Sequence, residues 1–371
     1  MSWRTTTWGE VIRLHYGKAL VGGSVDSGPV RVYGTNGPTG FTDAEPQGTG
    51  PSVVVGRKGA YRGIHYAPEP FFVIDTAFYV ESLEGVDMRW VYYALKTVDL
   101  DAIATGSAIP STRREDLYEV KVRLPPRREQ QAIAEVLGAL DDKIAANFGT
   151  SECAEHLQSA LWKKARSQVS LQPLSRFVTP KLGGTPPRAD ATSWEGTVPW
   201  ASVRDMTSAP GRVILTTAEN ISHEASESAP RLQAHPVGSV FMSARGTVGH
   251  VTTNAVPCAI NQSAYAFTPL EKYRVSCRLA LQDAVATLRA HAHGSVFNTI
   301  TTKNLTGLVI PDLESSAIAE AEPDLARLEA LRIAALSENT TLTAVRDELL
   351  PQLMSGRITV KDAEKRVQEE V

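Results

Sequence analysis

The stretch VRLPPRREQQAIAEVLGAL, Val122–Leu140, reads first as a short strand closed by two prolines and then as a helix. Ile133, Val136, Leu137, Leu140 and Ile144 recur at spacings of three and four, as do Ala154, Leu157 and Leu161 further on. This is the apolar stripe of an amphipathic helix, expected over about Arg127–Ser167, with Gly149-Thr150 as a point of break or kink. The pattern returns near the end of the chain. Leu308–Asp312, LVIPD, stands where Val122–Pro126, VRLPP, stood, and Ile318-Ala319-Glu320 matches Ile133-Ala134-Glu135. A second helix is expected from Pro323 to Met354, with Leu325, Leu328, Leu342, Val345, Leu349 and Leu353 on its apolar face. Proline suits a first helical turn, so Pro323 is placed there. Pro351 should disturb the last turn and Gly356 should stop it. At 1.5 Å per residue the two helices are rods of roughly 45–60 Å, far beyond the mean helix of about 11–12 residues. Long helices with a narrow apolar seam pair with each other or with a partner. Their repeat-related positions favour an antiparallel pair joining what precedes each of them.

What precedes them also repeats. Ser52–Gly59, SVVVGRKG, matches Ser239–Gly246, SVFMSARG, each an apolar strand ending in a basic residue and a glycine. Gly63 then meets Gly249, Ile74-Asp75 meets Ile260-Asn261, and Tyr79 meets Tyr265. Gly106-Ser107 meets Gly294-Ser295, and Asp116-Leu117 meets Asn304-Leu305. Short Val/Ile/Tyr/Phe runs punctuated by Gly, Pro, Asn and Asp make both segments β-rich. The fold class is therefore α+β: two repeat-related β-rich domains separated by two long antiparallel, coiled-coil helices. The boundaries are 1–125 for the first domain and 126–169 for the first helix. The second domain is 170–311, and the second helix with its tail is 312–371.

Composition narrows the function classes. The chain has 371 residues, 42% apolar and 21% charged, an ordinary globular mix. No run approaches 18 apolar residues, so no membrane span is expected. The N-terminus has no signal-like pattern, and three cysteines without a C-x-x-C pair fit a reducing cytoplasm. Net charge is −3, but residues 312–371 hold 13 acids and 7 bases while 171–311 hold 12 bases and 8 acids. Any basic surface is local, and the acidic tail points to a protein partner. A phosphate-binding G-x-x-x-x-G-K-[ST] loop, an H-E-x-x-H pair and a G-x-S-x-G elbow are all missing, as is the (N/D)-P-P-(Y/F) grip of amino-methyltransferases. No catalytic residue, metal or cofactor is expected. The chain reads as a recognition device.

A DNA reader needs cations for phosphates and fixed donors and acceptors for base edges. The candidates lie at repeat-equivalent loops: Arg57, Lys58 and Arg62 in the first half and Arg245 in the second. Thr35 and Asn36, in the Gly34–Gly37 turn, offer an amide for adenine, and Arg204 lies in their approximate counterpart. Arg113 and Arg114 in the first half, and Thr301 and Lys303 in the second, follow the Gly-Ser matches. Each has a plain alternative as a solvated turn. Tyr33, Trp194 and Trp200 read as core aromatics. On the helices, Ile133, Leu137, Leu140, Leu342 and Leu349 are the candidate partner-binding residues.

Taken together, Leu124–Leu137, Leu331–Ile358, Val198–Met206, Arg245–Gly249 and Ala259–Phe267 resemble the specificity (S) subunit of type I restriction–modification systems over almost the whole chain. The second half departs at Ser315-Ser316, where the Glu129-Gln130 of the first half has no counterpart, so the second helix is free to start differently. The resemblance implies two target recognition domains. Each reads one half of a split, asymmetric site on double-stranded DNA, with the helices as a ruler for the unread spacer. It implies adenine methyltransferase (M) subunits, two of them, and motor-nuclease (R) subunits as partners, in phage defence in the cytoplasm. Two alternatives stay open at this point. One is a recognition subunit of a related modification system with other catalytic partners. The other is a β-rich binding module or enzyme that does not act on DNA.

Overall fold

The computed structural model describes residues 3–104, 110–291 and 299–370. The Gly106-Ser107 and Gly294-Ser295 match lies outside the described residues. The chain forms two compact units, residues 1–144 with 341–371, and residues 145–340. Each combines a β-rich domain with the adjoining stretches of both long helices, so the units cut across the helices instead of ending where they begin.

The first unit's β-domain runs β1 (Arg4–Thr7), α1 (Trp8–Val11), β2 (Ile12–Tyr16), β3 (Val30–Gly34), β4 (Gly37–Thr42), β5 (Ser52–Gly56), β6 (Ile64–Ala67), β7 (Phe71–Val73), β8 (Ala77–Ser82), α2 (Met88–Lys96), α3 (Arg114–Glu119) and β9 (Lys121–Leu124), leading into α4 (Arg127–Ala165). The other β-domain runs β10 (Leu171–Pro173), β11 (Lys181–Leu182), β12 (Val198–Ala201), α5 (Val203–Ser208), β13 (Val213–Ile214), β14 (Glu219–Ile221), α6 (His223–Ser228), β15 (Val240–Ser243), β16 (Val251–Asn254), β17 (Ala259–Ile260), β18 (Ala264–Phe267), α7 (Arg274–His291), α8 (Thr302–Thr306) and β19 (Val309–Pro311). Then come α9 (Ser316–Ser355) and α10 (Val360–Glu370).

The internal repeat is visible in the strand order. One sheet reads β2-β8-β5-β6 and its counterpart β11-β18-β15-β16-β13. A three-stranded sheet reads β4-β3-β7 in the first unit and β14-β12-β17 in the second. In both, the middle strand pairs antiparallel to one neighbour and parallel to the other. The ends of each β-domain are tied by the pairs β1–β9 and β10–β19, so each Pro-terminated strand closes its domain before a long helix departs. The central strands β5 and β15 are buried along their whole length, as a continuous apolar run covered on both faces requires.

Gln130 explains part of the Leu124–Leu137 motif. It is buried, its Oε1 accepts from Asp87 N at 2.9 Å and its Nε2 donates to Pro125 O at 2.9 Å. Asp87 in turn caps α2 by accepting from Arg89 N and Trp90 N. The start of α4, the end of β9 and the start of α2 are thereby locked together.

Buried positions on α4 include 130, 133, 137, 140, 144, 147, 151, 154, 158 and 162, each three or four residues after the last. On α9 buried positions also step by threes and fours from 318 to 353. This is the seam of a helix pair. In the first unit Arg346 reaches Asp141 at 2.7 Å. In the second, Asn147 pairs with Asn339 at 2.9 Å and Gln158 with Leu325 O at 2.9 Å. In each unit the partner numbers run down as α4 runs up, so the pairing is antiparallel.

Several expectations are corrected. α9 starts at Ser316, two turns before Pro323, and α4 passes through Gly149-Thr150 without a break. Both Pro323 and Pro351 lie inside α9 on its solvent-facing side. Water can take the carbonyls that these residues leave unbonded, so neither ends the helix. Gly356, at φ 65°, does end it. Leu157 faces out and is exposed, while Ser151 and Gln158 hold the buried positions beside it. Ile133, Leu137, Leu140, Leu342 and Leu349, expected to meet another chain, are all buried in the first unit's own core with Trp8, Trp90 and Leu117. An apolar stripe covered by its own chain has no surface left for a partner.

Candidate nucleic-acid interface

In the first unit, the sequence candidates come from three separate segments that the fold brings side by side. Gly63 N donates to Thr35 O at 2.9 Å, tying the β5–β6 loop to the β3–β4 turn. Thr112 N donates to Arg57 O at 2.9 Å, and Lys58 bridges Ser111, tying the same loop to the segment before α3. Arg57 and Arg114 lie on one aromatic ring, their guanidinium carbons 4.8 and 4.5 Å from the centroid of the half-exposed Tyr16. Arg57 also donates to Asp75 O at 3.3 Å. Arg57 makes no ion pair among the described residues and Arg114 pairs loosely with Glu115, at 3.9 Å, so two cations gathered on one ring favour an anion. Lys58 and Asn36 are exposed. Lys58 makes no ion pair among the described residues. Arg113 is bound bidentately to Asp116, at 2.8 and 2.9 Å, and holds that carboxyl below its ordinary range. Its cation is engaged at home. Thr35 presents its backbone inward and its Oγ1 is buried.

Arg62 is a correction. Its side chain is 0% exposed and pairs with Asp101, while donating to Gly59 O at 3.2 Å and Leu100 O at 3.1 Å. It braces the loop and offers nothing to a phosphate. Counting back from the matched glycines Gly63 and Gly249, its counterpart is Val248, also buried. In both halves the residue before the glycine is the loop's anchor.

The second unit assembles the matching surface. Ile300 N donates to Ala244 O at 2.9 Å, the counterpart of the bond from Thr112 to Arg57. This seats the segment before α8 beside the turn carrying Arg245. A Cβ on Gly246 would lie 3.8 Å from Val203 Cγ1, which places the same turn against the start of α5 and hence Arg204. Ser202 and Asp205 form a capping box there, and Thr301 and Asn304 form another on α8. Arg204, Arg245, Thr301 and Lys303 are exposed, and the three cations make no ion pair among the described residues. Thr301 spends its hydroxyl on its own helix, donating to Asn304 Oδ1 at 2.6 Å.

Tyr33 and Trp200 are buried, as expected of core aromatics. Trp194 stacks edge-on against Trp200, with Arg188 3.7 Å over its ring. Tyr16 and Tyr61 were not singled out by their sequence context. Tyr61, between two basic residues in RKGAYRG, is the one a charge-plus-aromatic pattern could have found. No group of metal-ligating side chains occurs among the described residues, and no helix there is long and apolar enough to cross a membrane.

Residues 2–153 match the model of the type I restriction modification DNA specificity domain. The EcoprrI type I restriction enzyme specificity subunit of Escherichia coli is 26% identical over 141 residues, 36% of this chain and 35% of that protein. The MjaIX specificity subunit of Methanocaldococcus jannaschii is 33% identical over 84 residues, 22% of this chain and 19% of that one. The matched stretches thus span about a third and a fifth of these relatives. The crystal structure of a type I restriction–modification S subunit from M. genitalium aligns over 95% of this chain and 96% of its own, with a TM-score of 0.70 at 18% identity, and so shares the fold. The specificity-domain match thus covers residues 2–153, and the likeness to an S subunit along nearly the whole length is one of fold.

Proposed function

We propose that this chain is the sequence-specific DNA-recognition subunit of a type I restriction–modification complex. It reads a split, asymmetric site, one half by residues 1–125 and the other by 170–311. The long helices at 126–169 and 312–371 set the unread spacer. Adenine methyltransferase subunits, two per complex, and motor-nuclease subunits supply the chemistry and act where this chain places them. Arg57, Lys58 and Arg114 of the first domain, and Arg204, Arg245 and Lys303 of the second, take phosphates or base edges. Asn36 offers a bidentate amide to adenine.

The observation that carries this reading is the shared frame. The same backbone bond, from Thr112 to Arg57 and from Ile300 to Ala244, gathers candidate cations at equivalent loops of both β-domains. Duplicated loops on which Lys58 and Arg245 have no carboxylate partner among the described residues suit a ligand that is polyanionic and long enough to need two contacts. Methylome sequencing of a host expressing this chain with its adjacent methyltransferase tests it. A split adenine-methylated motif that vanishes when this chain is deleted is expected. An unchanged methylome on deletion, with both proteins assembled, rejects the proposal.

A further inference from the structure

We propose that Tyr61 is a stacking residue that packs its ring against a base of the half-site read by the first domain. The inference rests on the DNA-reading function above. Tyr61 is 80% exposed, the largest ring so displayed among the described residues. It is not displayed on a loose strand. Gly56 N donates to Gly63 O at 2.8 Å, Gly59 N to Pro110 O at 3.1 Å and Gly63 N to Thr35 O at 2.9 Å, so both flanks of the loop are fixed. Gly59 at φ 115° makes a turn that an L side chain would strain. Arg62, wholly buried beside it, clamps the loop from within through Gly59 O, Leu100 O and Asp101. A large apolar ring is therefore held out in water by a rigid mount.

Its surroundings identify the ligand. Asn36, His65 and Lys96 share a cleft of about 540 Å³ with it, lined as well by Asp99 and by the Asp101 that pairs with Arg62, while Lys58 stands three residues before it, outside that cleft. His65 Nε2 is buried there without a hydrogen-bond partner. Burial, with Lys96 adding to it, holds that imidazole below its ordinary pKa, which favours the uncharged ring. An exposed aromatic face beside an amide, an uncharged imidazole, a lysine and two carboxylates offers a nucleobase a surface to stack on and both donors and acceptors for its polar edge, with Lys58 and Lys96 on hand for its phosphates. An apolar protein patch would not need the cations. The second domain differs at this point. Counting back from Gly249, the counterpart of Tyr61 is the exposed Thr247, on a loop one residue shorter. Stacking is thus built into one domain only.

The test uses the assembled complex and a duplex bearing its own methylated motif, with 2-aminopurine placed at one position at a time in both half-sites. Tyr61→Ala should weaken binding roughly 5- to 150-fold, while Tyr61→Phe stays near wild type. The 2-aminopurine emission change on binding should appear in one half-site only and disappear in Tyr61→Ala. An exposed side chain contributes little packing, and the melting temperature checks that the variant folds. If wild type shows no specific binding, the DNA-reading function itself fails. If wild type binds and Tyr61→Ala binds equally with the same emission pattern, the stacking role is overturned. It is also overturned if Tyr61→Ala disrupts subunit assembly but leaves the emission change of the assembled fraction intact, since the ring would then be a protein contact.

Discussion

Replacing Glu329 by Gln should open the helix pair of the second unit. Glu329 Oε2 accepts from Arg332 Nη1 at 2.6 Å, Arg278 Nη2 at 3.0 Å and Gln158 Nε2 at 3.1 Å. The two guanidiniums are 3% and 1% exposed, so neither can recover water when the carboxylate goes. The nearest other acid, Glu155, is 3.4 Å from Arg332 and more than a third exposed. Removing one member of a buried pair costs about 3–5 kcal/mol, because an uncompensated charge is left behind. Amide exchange of peptides within 145–165 and 316–340, followed by mass spectrometry, reads the local opening free energy. At 1.4 kcal/mol per tenfold, exchange there should quicken by roughly two to three and a half decades. Glu155→Gln, at the half-exposed end, should cost under about 1 kcal/mol. Replacing Glu329, Arg278 and Arg332 together with apolar residues of similar volume should recover most of the loss. Acid should reproduce part of the effect. Burial opposes ionisation of Glu329, but Arg278 and Arg332 outweigh it and hold its carboxyl below the ordinary value. Its contribution is therefore complete above about pH 4.3, the unfolded value, and is lost as pH falls through the lower folded one. The melting difference between wild type and Glu329→Gln should narrow in that window. Equal exchange in wild type and Glu329→Gln, or equal losses for Glu329→Gln and Glu155→Gln, would refute the reasoning.

The remaining predictions concern DNA. Arg245→Ala should lower the slope of log K against log salt by about 0.9, the value of one phosphate contact; an unchanged slope removes Arg245 from the interface. Exchanging residues 170–311 for those of a relative should alter one half of the methylated motif and leave the other; altered bases in both halves would break the modular reading. Inserting one turn, about four residues or 5.4 Å, into both long helices should lengthen the unread spacer while the bases read stay the same. A spacer that does not change sinks the ruler.

The helix pair was legible because spacings of three and four survive on the page whatever the side chains are. Its details were not. The apolar letters alone put Leu157 on the seam, where burial puts Gln158, and no letter says that Gln158, Glu329 and Arg332 are bonded to one another. The prolines misled for a related reason. Pro323 and Pro351 are read as ends because proline lacks an N–H, yet the cost depends on which side of the helix loses its bond, and both face solvent. Turns in the candidate interface were legible from the repeat, which marks Arg57–Gly59 and Ala244–Gly246 as one loop seen twice. Exposure within the loop was not. Lys58 and Arg62 look alike in sequence, and one faces water while the other lies beneath the loop.

That last contrast bears on how, under the proposed function, one repeated fold would read two different half-sites. In both domains the loop after the central strand ends in an anchor followed by glycine: Arg62-Gly63 in one and Val248-Gly249 in the other. The anchors differ in chemistry, a guanidinium bonded to two carbonyls and a carboxylate against a plain apolar side chain, but both are buried. The residue ahead of each anchor projects, Tyr61 in one domain and Thr247 in the other. Stability is thus carried by positions that point inward, and the proposed contact would fall to positions that point outward, only one residue apart in the chain. A substitution at Tyr61 or Thr247 changes what the tip meets without disturbing what holds it, whereas one at Arg62 leaves Asp101 and two carbonyls without their donor and should move the tip itself. Arg62→Ala is therefore expected to impair binding as Tyr61→Ala does, but with faster amide exchange across residues 57–63, a signature Tyr61→Ala should lack.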